Sequence, residues 1–125
     1  MNLLVYSENE IVFSSDKRGI VPLIEAIDTL SLDKLENIIT ADRIVGRAAV
    51  LLNIYLGSQG VYAMLISTNA KQLLLERKIK FEYRNETDSI KMKDGVIFCP
   101  FERLVQEISD PEEAYIKIKA KLNNF

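Results

Sequence analysis

Residues 44–55, Ile-Val-Gly-Arg-Ala-Ala-Val-Leu-Leu-Asn-Ile-Tyr, leave this chain few ways to fold. Wound as a helix, they place apolar side chains on nearly every face, which suits a helix held between layers rather than one lying on a surface. Asp42 is a good N-cap just upstream, so the spacing predicts a helix from Arg43 to about Leu56, closed by Gly57. Arg43 and Arg47 fall one turn apart on it, with Gly46 between them. A buried helix accepts two guanidinium groups only if each is paired or reaches water. Gly46 costs a helix interior about 1 kcal/mol relative to Ala, which some close approach must offset. Two readings follow. Either both arginines reach the surface and Gly46 permits close packing, or the polar start of this helix receives an anion.

The rest of the chain supplies the layers. Leu3–Ser7 and Ile11–Ser14 read as a hairpin about Glu8-Asn9-Glu10. Asp16-Lys17-Arg18-Gly19 is a charged turn leading into a helix near Pro22 that carries Leu23, Ile24, Ala26, Ile27 and Leu30. Glu36–Thr40 reads as a short strand. Val61–Ser67 is a continuous apolar run, the pattern of a strand covered on both faces. Ser67-Thr68-Asn69 offers cap chemistry for a helix over Ala70–Lys78, and Lys80–Arg84 alternates like an edge strand. Asn85–Gly95 is a polar loop or arm with Ile90 and Met92 as anchors, and Val96-Ile97-Phe98 is a last short extended piece. Pro100 opens a helix to about Ile108, and Ser109-Asp110-Pro111-Glu112-Glu113 restarts one that runs to about Leu122. Strands alternating with helices imply a mostly parallel sheet with helices on both faces, and the opening hairpin makes one strand antiparallel.

Composition narrows function more than fold. The 125 residues make one domain of α/β class, 1–125, with no repeat or linker. There is no histidine. That removes Ser-His-Asp and Cys-His catalysis, histidine acid–base chemistry and every histidine metal site. With Cys99 the single cysteine, a closed structural zinc site and an intramolecular disulfide are excluded too. No metal and no cofactor are expected. A net charge of −2 argues against nucleic acid and anionic membrane as partners. The start of the chain has no basic region and meets Glu8 too early for a signal peptide, and no apolar run approaches the roughly 18 residues a membrane helix needs. A reducing, cytoplasmic setting is the expectation.

Four motifs, Gly19-Ile20-Val21-Pro22-Leu23, Ala41–Ala49, Cys99-Pro100-Phe101-Glu102 and Asp110–Tyr115, resemble in that order a small prokaryotic domain-of-unknown-function family. That family is placed in the cytidine-deaminase-like superfamily as a divergent member. The resemblance covers most of the chain and implies a three-layer α/β/α sandwich around a five-stranded mixed sheet. It implies no agreed activity. Zinc deaminases carry a His or Cys and a catalytic Glu at one helix start and a Pro-Cys-x-x-Cys pair at the next. The corresponding places here look like Gly19–Pro22 and Asp42–Gly46, which hold neither Cys nor His, so zinc and deamination are not carried over. The pocket between two helix starts is what remains, a place for an anion or a polar heterocycle.

The candidate ligand-binding residues are accordingly Gly19, Asp42, Arg43, Gly46, Arg47, Ser67 and Thr68, with Cys99 and Glu102 as weaker catalytic candidates. Two arginines at i, i+4 can fork onto a phosphate or carboxylate, whereas an internal Asp–Arg capping network would explain them structurally. Ser67 and Thr68 are explained as well by capping, Gly19 by a solvated turn, and Cys99 by a small buried hydrophobe. A small anionic or nucleoside-like ligand is thus the leading expectation. A metal-free enzyme using Cys99, Asp42 or Glu102 is the first alternative, and a homodimeric interaction domain with Lys80–Arg84 as a contact is the second.

Overall fold

The structure, a computed structural model, describes residues 1–90 and 99–124. Its strands are β1 (Leu3–Ser7), β2 (Glu10–Ser15), β3 (Ile38–Val45), β4 (Gly60–Ser67) and β5 (Lys80–Thr87). Its helices are α1 (Val21–Thr29), α2 (Arg47–Leu56), α3 (Thr68–Glu76), α4 (Pro100–Leu104) and α5 (Pro111–Asn123). A single 3-10 turn, Leu32–Lys34, precedes β3. The expected extended piece at Val96–Phe98 and the anchor Met92 lie outside the described residues.

One five-stranded sheet runs in the order β2-β1-β3-β4-β5. β1 is antiparallel to both β2 and β3, while β3, β4 and β5 are parallel. The fold is therefore α/β with a mixed sheet, as the alternation of elements implied.

Three layers are present, but among the described residues their order is sheet, helices, helices, which corrects the expectation of helices on both faces. The reason is topological. The connections β2–α1–β3, β3–α2–β4 and β4–α3–β5 all step the same way across the sheet between parallel strands, and the right-handed crossover rule then puts all three helices on one face. Burial follows suit. Leu3 and Val5 of β1 register with Asp42 and Thr40, which register with Ala63 and Val61, and all six are buried. The opposite parity emerges on the other face, where Ile39 is 45%, Tyr62 38% and Met64 36% exposed. α2 sits between α1 and α3, and α5 lies over it, so Ala48 through Asn53 are buried all round. That is the buried helix required by the apolar run.

Its start differs from the expectation. β3 extends to Val45, and α2 begins at Arg47 with Gly46 as N-cap, so Asp42 and Arg43 are strand residues and Asp42 caps nothing. Backbone pairing decides this. Asp42 is bonded in register to Leu3 on one side and Ala63 on the other, and Ile44-Val45 continue beside Leu65-Ile66. β-branched Ile44 and Val45 suit a strand better than a helix first turn. The far end is as expected, with Gly57 at the C-cap and its N–H donating to Asn53 and Ile54 carbonyls. Asn53, fully buried on α2, is satisfied throughout: its amide donates to the Ala49 carbonyl, and its oxygen accepts from the Thr40 and Ser58 hydroxyls. β5 runs past Arg84 to Thr87, and α4 stops at Leu104 rather than Ile108. No helix among the described residues is long and apolar enough to cross a membrane.

Candidate functional site

The start of α2 is the natural anion site of this architecture, because the first-turn N–H groups have no partner within the helix. Here the chain supplies its own anion. Glu102 on α4 accepts the Arg47 N–H through Oε1 at 2.8 Å and the Ala48 N–H through Oε2 at 2.7 Å. The side chain is only 4% exposed. Burial pushes its carboxyl above the usual range, against the lowering effect of the two amide bonds and of the Arg47 charge. Gly46 makes the approach possible: a Cβ there would fall 2.6 Å from the Glu102 carboxyl carbon. The two residues fit one another.

Arg47 completes the junction with reversed polarity. Its Nε donates to the Val105 carbonyl at 3.1 Å and its Nη2 to the Ile108 carbonyl at 2.5 Å, at the C-cap of α4 and in the turn that follows it. A carboxylate of α4 thus caps α2, and a guanidinium of α2 caps α4. The structure brings Gly46, Arg47 and Glu102, candidates from two separate motifs, into one internal joint. Each Glu102 oxygen accepts one amide, and Nε and Nη2 of the guanidinium each hold a carbonyl, so the chain's own groups join the start of α2 to the end of α4.

The remaining candidates separate into different places. Ser67 is the buried N-cap of α3, accepting from the Ala70 N–H and donating to Asn69 Oδ1. Thr68 donates to Glu86 Oε2 and the Thr87 carbonyl, tying α3 to β5. Gly19 adopts φ +77°, a conformation L side chains rarely take, in an exposed turn with open space about it. Cys99 holds the N-cap position of α4 without a side-chain cap bond, and its own N–H donates to the Ile90 carbonyl at 3.2 Å.

Asp42 and Arg43 border a groove of about 220 Å³ with Met1, Asn2, Leu4, Ala41, Tyr62 and Met64. Asp42 is 8% exposed, and burial raises its carboxyl to about 7 against two lowering bonds from the N–H groups of Arg43 and Ile44. Arg43 is exposed, its N–H donates to the Asn2 carbonyl, and its guanidinium makes no ion pair among the described residues. A larger hollow of about 340 Å³ lies at the opposite end of β3, but its one charged lining residue is Glu36, which disfavours an anion. Among the described residues no three acidic, thiol or imidazole side chains converge as a metal site would need.

Residues 1–122 match the model of the TM1506 family, a domain of unknown function designated DUF1893. The chain belongs to the DUF1893 family. The crystal structure of a DUF1893 family protein (TM1506) from Thermotoga maritima at 2.70 Å is similar to it, with a TM-score of 0.86 and 33% sequence identity. The match covers 96% of this chain and 80% of that one. No match was found among curated proteins. For this DUF1893 chain, sequence reasoning missed the Thr40–Asn53–Ser58 network. A lone Asn within the apolar run was the available signal, because a buried amide needs partners.

Proposed function

We propose that this DUF1893 chain is a binding domain for a small anionic metabolite with a ring or apolar body, and that the ligand lies in the groove beside Arg43. The observation that carries the reading is an exposed guanidinium, unpaired among the described residues, beside a groove bordered by Leu4, Ala41, Tyr62 and Met64. A guanidinium forks onto phosphate or carboxylate, and the Tyr62 ring offers a flat apolar surface for a heterocycle. Burial raises the Asp42 carboxyl to about 7, which favours its neutral form beside the groove more than in an ordinary aspartate. The site lies on the sheet, away from the sealed start of α2. Kinship with the cytidine-deaminase-like superfamily is part of the proposal. It is supported by the five-stranded mixed sheet and by the position of α1 and α2 after β2 and β3. A metal-free binding role in a reducing cytoplasm fits a chain that has no histidine and a single cysteine.

A thermal-shift panel of nucleotides, phosphosugars and small carboxylates tests it. A ligand at 100 times its Kd stabilises by about 2.7 kcal/mol. For a domain of this size that is roughly 8 °C in Tm. The expected result is a shift with one anionic class that Arg43→Ala abolishes while the free protein melts unchanged. A flat panel, or a shift that survives Arg43→Ala, overturns the reading.

A further inference from the structure

The two edges of the sheet differ. β2 is blunted by a register shift opposite Val5 and Tyr6, and its one charged residue is Glu10. β5 is eight residues of regular parallel pairing, Lys-Phe-Glu-Tyr-Arg-Asn-Glu-Thr, without Pro or Gly. Among the described residues nothing pairs with its outer edge. Such an edge presents a row of free N–H and C=O groups and invites another strand. Its charges alternate in sign at every second position: Lys80, Glu82, Arg84, Glu86.

We infer that β5 pairs antiparallel with β5 of a second copy about a two-fold axis at Tyr83, joining two sheets into one continuous ten-stranded sheet. Charge complementarity selects this occupant and this register. With Tyr83 opposite Tyr83, Lys80 faces Glu86 and Glu82 faces Arg84, so all four facing charge pairs are of opposite sign. Shifting the register by two residues sets like charges opposite one another, as does parallel in-register stacking, and like charges directly opposite destabilise a pair. The pattern therefore favours a closed dimer over open-ended growth. Glu82 and Arg84 are exposed and form no ion pair among the described residues, so both are available. Glu86 is shared with Lys71 of α3, which leaves the Glu82–Arg84 pair to set the register. Tyr83, stacked on Phe81 and crossed by the Lys71 ammonium, supplies an ordered aromatic surface at the axis. Leu75 of α3, 55% exposed on the helix beside β5, adds apolar contact area near the junction.

Sedimentation or light scattering on four proteins tests the pairing: wild type, Glu82→Lys, Arg84→Glu and the double swap. Each single variant sets like charges opposite one another twice per dimer and is expected to weaken association at least about tenfold. The double swap restores opposite signs and is expected to restore the dimer. Mixing the two single variants is expected to yield a heterodimer, because each then meets its complement. A wild-type protein that stays monomeric at high micromolar concentration overturns the inference. So does a dimer indifferent to both single substitutions, or one that neither the double swap nor the mixture rescues. Circular dichroism confirms that each variant is folded, and the ligand panel on monomeric Glu82→Lys keeps this result separate from the groove beside Arg43.

Discussion

Arg43 and Arg47 are one sequence motif and two different structures. Arg47 lies in a sealed joint, where its guanidinium holds the carbonyls of Val105 and Ile108 while Glu102 holds the first N–H groups of its helix. Arg43 stands on the exposed side of a strand next to a groove. The difference teaches that a helix start rich in binding potential can be spent entirely inside the molecule, whereas a residue with no internal partner keeps its charge for something else.

The comparison breaks most visibly at Glu102. Hydrogen bonds to a charged group contribute roughly 1.5–3 kcal/mol each, so Glu102→Ala is expected to cost about 4 kcal/mol. Chemical denaturation measures this directly. Gly46→Ala should act through the same contact. Placed in the Glu102→Ala background, it should cost far less than in the wild type, and a double-mutant cycle showing simple additivity would separate the two residues.

Asp42, at the seam between the two regions, predicts a pH effect. Its folded carboxyl is raised from 3.8 to about 7, so the folded state binds the proton more tightly than the unfolded chain. The associated stability is present in full below about pH 4 and is lost as pH rises to 7, up to about 4 kcal/mol at 1.36 kcal/mol per unit. Glu102 is raised too and acts with the same sign. Asp28 runs the other way. Burial raises it, but bonds from Tyr115 and Lys119 outweigh burial and leave it lowered, so its contribution is lost as pH falls. Denaturation midpoints between pH 4 and 7 should therefore decline less steeply in Asp42→Asn than in the wild type.

Arg47→Ala removes two bonds from a charged but partly exposed guanidinium and should cost about 3 kcal/mol, the low end of the range for bonds to charged groups, read as a fall in Tm. Arg43→Ala is the smallest effect on stability, within about 0.5 kcal/mol, as for a surface side chain without partners. If Arg43→Ala instead destabilises as much as Arg47→Ala, the contrast between a free and a committed arginine collapses.

Much of this fold was legible locally. Asp110 accepts the Glu113 N–H and Ser67 the Ala70 N–H, as their positions before helical runs implied. The hairpin, the apolar strand Val61–Ser67 and the buried character of α2 also follow from short-range pattern, because caps, turns and periodicity depend on neighbours within a few residues. The boundary at Asp42 did not follow. An aspartate before an apolar run fits an N-cap, and only pairing to β1 and β4 makes it a strand residue.

What the sequence by itself determined is the set of elements, the mixed α/β class and the exclusion of histidine and disulfide chemistry. These depend on composition and on local backbone preference. Tertiary structure alone decided that the helices share one face of the sheet, that Glu102 travels 55 residues along the chain to cap Arg47, and that Arg43 is left outside. Each of those is a contact between segments distant in sequence, and no local propensity encodes which distant partner arrives first.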